Sequence, residues 1–292
     1  MGVGAGVVVV VVVGGGGGVG VGAAGRAEPP PNAAAAHRAR GKAEGARRIP
    51  GAYAAGAGRA RVRRLRTAGV AAARACHSRA VLSRLVLIGD IHTEATRLGH
   101  VLRHAAAAGV DAVLAVGDIV DGPEDAGACV AMLRDAGALA VRGNHERWLV
   151  DGDPLEPFTG DADALAWLAA LPPTRHVDTA AGPLLLCHGV GADDMQRLRP
   201  DDEGYALASN FALEELLTDG VYRWMVGGHT HAPMIRRFGA LTVLNPGTLA
   251  RADDPGFLEV DLARGRGRWY RVGLDGVSAG RAVSLAIDGG PE

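Results

Sequence analysis

Gly89-Asp90-Ile91-His92 directly follows the apolar run of residues 85–88, and this stretch decides how the chain is interpreted. The run Leu-Val-Leu-Ile is short, rich in branched side chains and closed by glycine, which is typical of a buried strand in a parallel sheet. Reactive groups in open α/β sheets gather where such strands end. A carboxylate and an imidazole at that point are ligands that metal ions accept. A single aspartate after a strand is more often a cap or turn residue, so the interpretation depends on the later strands.

Four further predicted strands end in the same way, with polar residues beside a glycine. The first three predicted strands alternate with helices predicted at about 94–108 and 124–135. This order predicts parallel pairing with right-handed crossovers. The four strands and the residues that follow them are 112–116 with Gly117-Asp118, 138–141 with Gly143-Asn144-His145-Glu146, 184–187 with His188-Gly189, and 222–226 with Gly228-His229-Thr230-His231.

The remaining segments predict a second half made mostly of short strands. These strands follow one another closely with turn residues between them, so we expect antiparallel pairing there. No strong pattern follows residue 276. The predicted elements are helices at 162–171 and 211–218, and strands at 175–178, 234–237, 241–244, 257–260 and 268–272.

Composition divides the chain into a low-complexity leader, a folded domain and a tail, at residues 1–80, 81–275 and 276–292. The leader begins with Val, Gly and Ala and continues with Ala, Arg, Gly and Pro, which is typical of disorder. Its spacing also permits a helix near 59–75. Because the composition changes abruptly before the first good strand, we hypothesise that native translation starts near Val81.

Two observations argue against a membrane element in the leader. The unbroken valine block at 7–13 is short beside the ~20 residues that a spanning helix needs. No basic residue precedes this block, whereas a signal peptide has basic residues before its apolar run.

The three cysteines, Cys76, Cys129 and Cys187, are widely spaced without a CxxC pattern. Their spacing predicts no disulfide framework and favours a reducing, cytoplasmic location.

Charge is unevenly distributed, although the net charge is only -1. Residues 1–80 contain 13 Arg or Lys and 2 Asp or Glu, whereas residues 81–292 contain 18 and 30. An acidic body without a basic stripe disfavours a specific nucleic-acid partner.

The residues at the five strand ends suit two divalent metal ions better than one. Three carboxylate or amide oxygens and up to five imidazoles are too many for one ion, but they fit a pair about 3.5–4 Å apart. Mixed oxygen and nitrogen ligation without thiolate favours Mn, with Fe, Zn, Ni or Co as alternatives. Taken singly, each histidine is more often a structural residue, and Gly-Asn is common in turns. The set is Asp90, His92, Asp118, Asn144, His145, His188, His229 and His231.

In their order and spacing, these blocks resemble those of the calcineurin-like metallophosphoesterases, over roughly residues 84 to 262. The resemblance implies an α/β fold, a four-layer α/β/β/α sandwich in which helices flank two mixed sheets. It also implies hydrolysis of a phosphoester by a metal-activated hydroxide. The resembling blocks are Gly89-Asp90-Ile91-His92, Gly117-Asp118, Gly143-Asn144-His145-Glu146, His188 and Gly228-His229-Thr230-His231.

Carried over residue by residue, the resemblance implies a ligand set for each of two metal ions, with Asp118 bridging them. His145 corresponds to a histidine that contacts the phosphate and protonates the leaving oxygen. Asn245-Pro246-Gly247-Thr248 resembles a loop beside the site in small bacterial members. One ion is held by Asp90, His92, Asp118 and His231, and the other by Asp118, Asn144, His188 and His229.

The same resemblance narrows the substrate. Ser/Thr protein phosphatases carry Asp-Arg-Gly where this chain has Asp121-Gly122-Pro123, so their substrate-binding arginine is missing. The layout is closer to small phosphodiesterase-like members, which favours a small-molecule phosphomonoester or phosphodiester. Ser/Thr phosphatase-like or dinucleoside polyphosphate hydrolase activity is the alternative. An inactive binding scaffold is a different class, and the complete ligand set disfavours it.

Three residues near the Asn-His pair have two interpretations each. Arg142 and Arg147 are candidates for binding phosphate or for surface salt bridges. Trp148 is a candidate for core packing or for stacking on an aromatic group of the substrate.

Overall fold

The computed structural model describes residues 81–285 and, in the leader, the backbone of Val9–Val10. The predictions made for residues 1–80, which include disorder, the helix near 59–75 and the translation start near Val81, otherwise lie outside the described residues. None of the described helices is long and apolar enough to cross a membrane.

The described residues form six helices and twelve strands, and most of them coincide with predicted elements. The helices are α1 Ala95–Ala108, α2 Ala126–Asp135, α3 Asn144–Asp151, α4 Ala162–Ala169, α5 Tyr205–Ala208 and α6 Phe211–Asp219. The strands are β1 Val9–Val10, β2 Arg84–Ile88, β3 Ala112–Ala115, β4 Leu139–Ala140, β5 Thr174–Thr179, β6 Gly182–Cys187, β7 Trp224–Val226, β8 Met234–Phe238, β9 Leu241–Asn245, β10 Gly256–Asp261, β11 Arg266–Val272 and β12 Val277–Ser284.

One six-stranded sheet carries the stretch that opens the site. Its order is β12-β11-β10-β2-β3-β4. Strands β2, β3 and β4 are parallel, as the alternation with helices predicted. Strand β10 lies antiparallel to β2, with Leu258 opposite Leu87. The sheet is therefore mixed.

The second sheet has the order β1-β8-β9-β7-β6-β5. The predicted antiparallel pairing is confirmed for β8 with β9. Strand β7, for which no direction was predicted, lies parallel to both β6 and β9. The physical reason is the long connection from β6 to β7. Because that connection contains helix α6, it returns the chain to the same end of the sheet, as a crossover must.

The core has three layers of apolar contacts, which make the four-layer sandwich. Leu85 and Leu87 pack between the two sheets, whereas Val86 and Ile88 pack against the helices on the other side. Strand β2 is therefore buried on both faces, as its unbroken apolar run predicted. The outer face of the second sheet packs against α6 through Leu213. The predicted α/β/β/α architecture is confirmed.

Four of the described elements were not anticipated, namely β1, α3, α5 and β12. Helix α3 begins directly after Gly143, whose N–H donates to the Glu146 carboxylate at 2.9 Å, and it ends at Gly152, which is left-handed with φ 86°. Strand β12 lies in the segment for which no element was predicted, and it pairs antiparallel with β11. Its small and polar residues give no clear alternation, so pairing with a neighbour decides its conformation.

Candidate metal centre

The predicted site residues converge at one end of the sandwich, where the strands of both sheets finish. Ligand atoms within each of three groups lie no more than 4.8 Å from one another. Asp118 belongs to two of these groups, which places its carboxylate between them. The groups are Asp90, His92 and His231, then His92, Asp118 and His145, and finally Asp118, His188 and His229.

The backbone at the site is strained. Every non-glycine residue with positive φ in the described part of the chain lies in these strand-end loops. Such conformations cost of order 1–3 kcal/mol each and persist only where the surrounding structure imposes them. Here they turn the side chains back toward a common point. The residues are His92, Thr93, Asp118, Asp121, His229 and His231, with φ between 45° and 64°.

Close backbone approach explains why glycines accompany the polar residues. A Cβ on Gly89 would lie 1.7 Å from the carbonyl oxygen of Gly247. A Cβ on Gly143 would lie 2.2 Å from Oδ1 of Asp118. Only glycine allows these loops to pack so closely. Both glycines are therefore needed for the site residues to come together.

The Nε2 atoms of His92 and His231 face each other, and in the neutral rings both carry a lone pair. His92 Nδ1 donates to the backbone carbonyl of Asp121 at 3.0 Å, and His231 Nδ1 donates to Asp253 Oδ2 at 2.7 Å. In the neutral rings, each Nε2 is then an acceptor. The two Nε2 atoms are 3.1 Å apart, an arrangement that requires a proton or a cation between them.

His188 lies deeper in the site, and its Nε2 atom faces two oxygen acceptors. Its Nδ1 donates to the carbonyl of Val116 at 2.9 Å, and its Nε2 lies 2.9 Å from Asn144 Oδ1 and 3.2 Å from Asp118 Oδ2. Burial alone would lower the pKa of this imidazole, but the Asp118 and Asp90 carboxylates outweigh it and raise the pKa to about 10. A positive charge is therefore strongly favoured at this point.

The other charged groups of the site are also displaced from their ordinary behaviour. Burial opposes ionisation of Asp118, yet the neighbouring imidazoles, above all His188, hold its pKa well below the usual range. Burial raises the pKa of Asp90. Burial and the nearby charge of His188 lower the pKa of His229 to about 4, and its Nε2 is buried without a hydrogen-bond partner among the described residues. Oxygen acceptors and unpaired imidazole nitrogens that face one another fit divalent cations.

A comparison with known protein families identifies the superfamily of this chain. The model of the calcineurin-like phosphoesterase superfamily domain matches residues 84–264, well over half of the chain. The chain belongs to this superfamily. Together with the three groups of ligand atoms, the family supports a metal-dependent phosphoesterase.

Individual relatives of this calcineurin-like chain are distant. It is 32% identical over 88 residues to an uncharacterized protein from Methanocaldococcus jannaschii, and the match covers 30% of this chain and 36% of that relative. A metallophosphoesterase from Sphaerobacter thermophilus superposes with a TM-score of 0.50 at 21% identity, over 66% of this chain and 89% of that one. A hypothetical protein from Pyrococcus horikoshii gives 0.52 at 13% identity, over 65% and 87%. These structures support the fold.

Asp121 organises two imidazoles of the calcineurin-like site, a role that the sequence analysis missed. Its backbone carbonyl accepts from His92, and its Oδ2 lies 2.7 Å from Nδ1 of His145. Its Oδ1 accepts from the N–H of Glu156 at 3.1 Å, which fixes the carboxylate. Its position three residues after Asp118 is the only signal in the sequence that pointed to it.

Glu146 holds two loops of the site together through hydrogen bonds to their backbone N–H groups. Its buried carboxylate accepts from the N–H groups of Asp118, Ile119, Val120 and Gly143 at 2.6–3.1 Å. The loops that carry Asp118 and Asn144 are thereby tied together. The sequence analysis quoted this residue as part of a block but assigned it no role.

The loop Asn245-Pro246-Gly247-Thr248 lies beside the centre, as the resemblance implied. Asn245 Nδ2 donates to the Gly228 carbonyl at 2.9 Å, and Thr248 Oγ1 donates to the Asp90 carbonyl at 2.8 Å. The N–H of His229 donates to the Asp90 carboxylate at 3.0 Å. The loop therefore braces the backbone on both sides of Asp90.

Contacts decide one of the three weaker expectations. Arg147 pairs with Asp194 through two hydrogen bonds of 2.7 and 3.0 Å, so it forms the salt bridge that was one of its two interpretations. Trp148 packs its ring 4.8 Å from that of His145. Arg142 is partly buried, and its Nε has no hydrogen-bond partner among the described residues.

Proposed function

We propose that the chain hydrolyses a small-molecule phosphomonoester or phosphodiester at a centre of two divalent cations, with Mn²⁺ as the first choice. The observation that carries the proposal is the Asp118 carboxylate, which is shared by two groups of potential ligands. Bound cations would supply the charge that acidifies a water molecule and neutralises a phosphate. The acidic body disfavours a nucleic-acid partner, and a cytoplasmic location accords with the two described cysteines, which are buried and unpaired.

The ligand sets proposed are those implied by the resemblance, and the contacts support them. His188 approaches Asn144 and Asp118 at 2.9 and 3.2 Å. His231 approaches His92 and Asp90 at 3.1 and 3.8 Å. The two sets are Asp90, His92, Asp118 and His231, and Asp118, Asn144, His188 and His229.

His145 is the proposed general acid. Its Nδ1 is held by Asp121, which leaves Nε2 on the side of Asp118, 3.7 Å from Oδ2. Its side chain retains 15% exposure, so a substrate oxygen can reach it. With Asp121 orienting the ring and Trp148 packed against it, Nε2 presents its proton to the leaving oxygen. A positioned acid of this kind contributes typically 10²–10⁴-fold to the rate.

The substrate is proposed to be small because this chain has Asp121-Gly122-Pro123 where Ser/Thr protein phosphatases carry their substrate-binding arginine. Arg147 already pairs with Asp194 through its Nε and Nη2 atoms. The cations and His145 would then be the main groups that bind the phosphate. They would contact the phosphoryl group more than its substituents. Selection between monoester and diester lies in the loops at 121–127, 149–162 and 190–220.

The direct test uses the full chain freed of metal with a chelator and reloaded with Mn²⁺. Hydrolysis of p-nitrophenyl phosphate and of bis-p-nitrophenyl phosphate is followed for the wild type, Asp118→Asn and the exposed control Asp163→Asn. We expect Mn²⁺-dependent turnover in the wild type and the control, and loss of it in Asp118→Asn. No Mn²⁺-dependent turnover of either ester by the wild type would contradict the proposal.

A further inference from the structure

We propose that Asp253 is a positioning residue that sets the affinity of one of the two cation sites, the one containing His231. The inference rests on the proposed function, because it concerns the same metal centre. It adds a residue that lies outside the ligand sets and 22 positions after the histidine that it contacts.

The contact itself defines which nitrogen of His231 is available. Asp253 Oδ2 lies 2.7 Å from His231 Nδ1, and an ionised carboxylate only accepts hydrogen bonds. Nδ1 therefore carries the proton, and the lone pair of Nε2 points into the site. That Nε2 is 3.8 Å from Asp90 Oδ1 and 3.1 Å from His92 Nε2.

His231 differs in this respect from two other histidines of the centre. His92 and His188 donate their Nδ1–H groups to the backbone carbonyls of Asp121 and Val116. Those acceptors survive any side-chain substitution, whereas the acceptor for His231 does not. The side chain of His231 is also 30% exposed, against 0% for His188, so packing alone does not fix its ring.

The loop that carries Asp253 is anchored independently of His231. Arg251 donates its backbone N–H and its guanidinium to the buried Glu94 at 2.7–3.0 Å, and its guanidinium also contacts Glu124 at 2.6 Å. The N–H of Asp253 donates to the Ala250 carbonyl at 3.2 Å. Asp253 therefore approaches His231 from a fixed turn, which lowers the entropic cost of the contact.

A carboxylate bonded to a ligand imidazole fixes its tautomer and raises its basicity, and loss of such a partner typically lowers metal affinity 10- to 100-fold. The effect should be confined to one site, because Asp253 contacts none of Asp118, His188 or His229 among its described hydrogen bonds. Selective weakening of one cation is therefore the signature of this role.

The chain offers a matched control in the next residue. Asp254 carries the same charge in the same loop, but its carboxylate pairs with Arg271 at 3.1 Å, and both side chains are 70% exposed. Exposed pairs of this kind contribute little. The experiment titrates metal-free full-length Asp253→Ala, Asp253→Asn, Asp254→Ala and wild type with Mn²⁺ alone, and it reads free Mn²⁺ by electron paramagnetic resonance.

We expect the wild type and Asp254→Ala to bind two Mn²⁺ with the same affinities. Asp253→Ala should keep one site and bind the other about 10- to 100-fold more weakly. Asp253→Asn should fall between them because its amide oxygen still accepts from Nδ1, and it carries the test if the alanine variant does not fold. The metal-free thermal midpoint should match between Asp253→Ala and Asp254→Ala.

Two results would overturn the inference while the proposed function stands. One is binding of both Mn²⁺ by the Asp253 variants with wild-type affinity. The other is equal weakening of both sites together with a lower metal-free midpoint, which would indicate a general structural role. A wild type that binds no Mn²⁺ would instead overturn the proposed function, and this inference with it.

Discussion

The Nε2 atoms of His92 and His231 lie 3.1 Å apart, although each ring donates its other nitrogen to an oxygen acceptor. Two neutral imidazoles arranged in this way present lone pairs to each other. The protein therefore holds a geometry that is unfavourable without a positive charge between the rings. Such an arrangement, imposed by strained loops, is what a preorganised cation site requires.

Metal removal should therefore lower stability. The metal-free protein should melt below the Mn²⁺-loaded protein, since binding to the folded state alone stabilises it by about 2.7 kcal/mol when free metal is 100 times Kd. Differential scanning calorimetry with and without chelator measures the shift. A His92→Ala, His231→Ala double variant should show a smaller shift, and equal midpoints for loaded and metal-free wild type would contradict the prediction.

Metal binding should release a proton from His188. The pKa of this imidazole is raised from 6.5 to about 10 in the metal-free chain, so the ring is protonated at about pH 8 and must lose its proton to bind metal. The extra stability from this charge is complete below pH 6.5 and is lost as pH rises through about 10.

Calorimetric titration in two buffers of different ionisation enthalpy counts that proton. We expect about one proton released per chain from this residue at about pH 8. The control is His188→Asn, in which the release should fall by the same amount. A proton count that is identical in the variant and the wild type would show that His188 is neutral before metal binds.

His145→Ala should keep the metals and lose turnover. The general-acid role predicts a fall in kcat of about 10²–10⁴-fold, larger for an alkyl ester than for p-nitrophenyl phosphate because the alkoxide leaves poorly without a proton. Asp121→Asn should follow the same trend more weakly, since Asn keeps an acceptor for Nδ1. Metal content is the control measurement. Equal losses on both esters would argue against proton donation.

Gly89→Ala should be strongly destabilising. The added Cβ would lie 1.7 Å from the Gly247 carbonyl oxygen, so the loop that braces Asp90 must move, at a cost of about 3 kcal/mol. Chemical denaturation measures this change in the free energy of unfolding.

The matched control is Gly99→Ala inside helix α1, where the nearest atom is the flexible end of Arg103 at 3.3 Å. Alanine is favoured over glycine in a helix by roughly 0.5–1 kcal/mol, so the control should be neutral or slightly more stable. A Gly89→Ala protein as stable as this control would be inconsistent with the close approach of the two loops.

The sequence predicted that the candidate site residues would converge, because strand ends in α/β sheets meet at one edge. Asp90 and Asp118 follow β2 and β3, and the parallel register of these strands brings them together. The unbroken apolar run of β2 and the helical period of α1 were both predicted within two residues of their observed bounds. These features are local, and they follow from backbone geometry.

The supporting residues could not be predicted in the same way. Asp253 meets His231 because the loop after β9 packs against Asp90, where the N–H of Leu249 donates to the Asp90 carbonyl at 2.8 Å. The role of Glu146 depends on four N–H groups from two loops. Helix α3 was hidden because its first residues, Asn144 and His145, match a ligand motif rather than an apolar period. Long-range contacts decided each case.

The central claim is that Asp118 is shared by two cations. Crystals soaked in Mn²⁺ and measured near the manganese absorption edge test it most directly. We predict two anomalous peaks about 3.5–4 Å apart, one beside Asp90 and His231 and the other beside His188 and His229, with the Asp118 carboxylate contacting both. A single peak, or two peaks of which only one contacts Asp118, would contradict the claim.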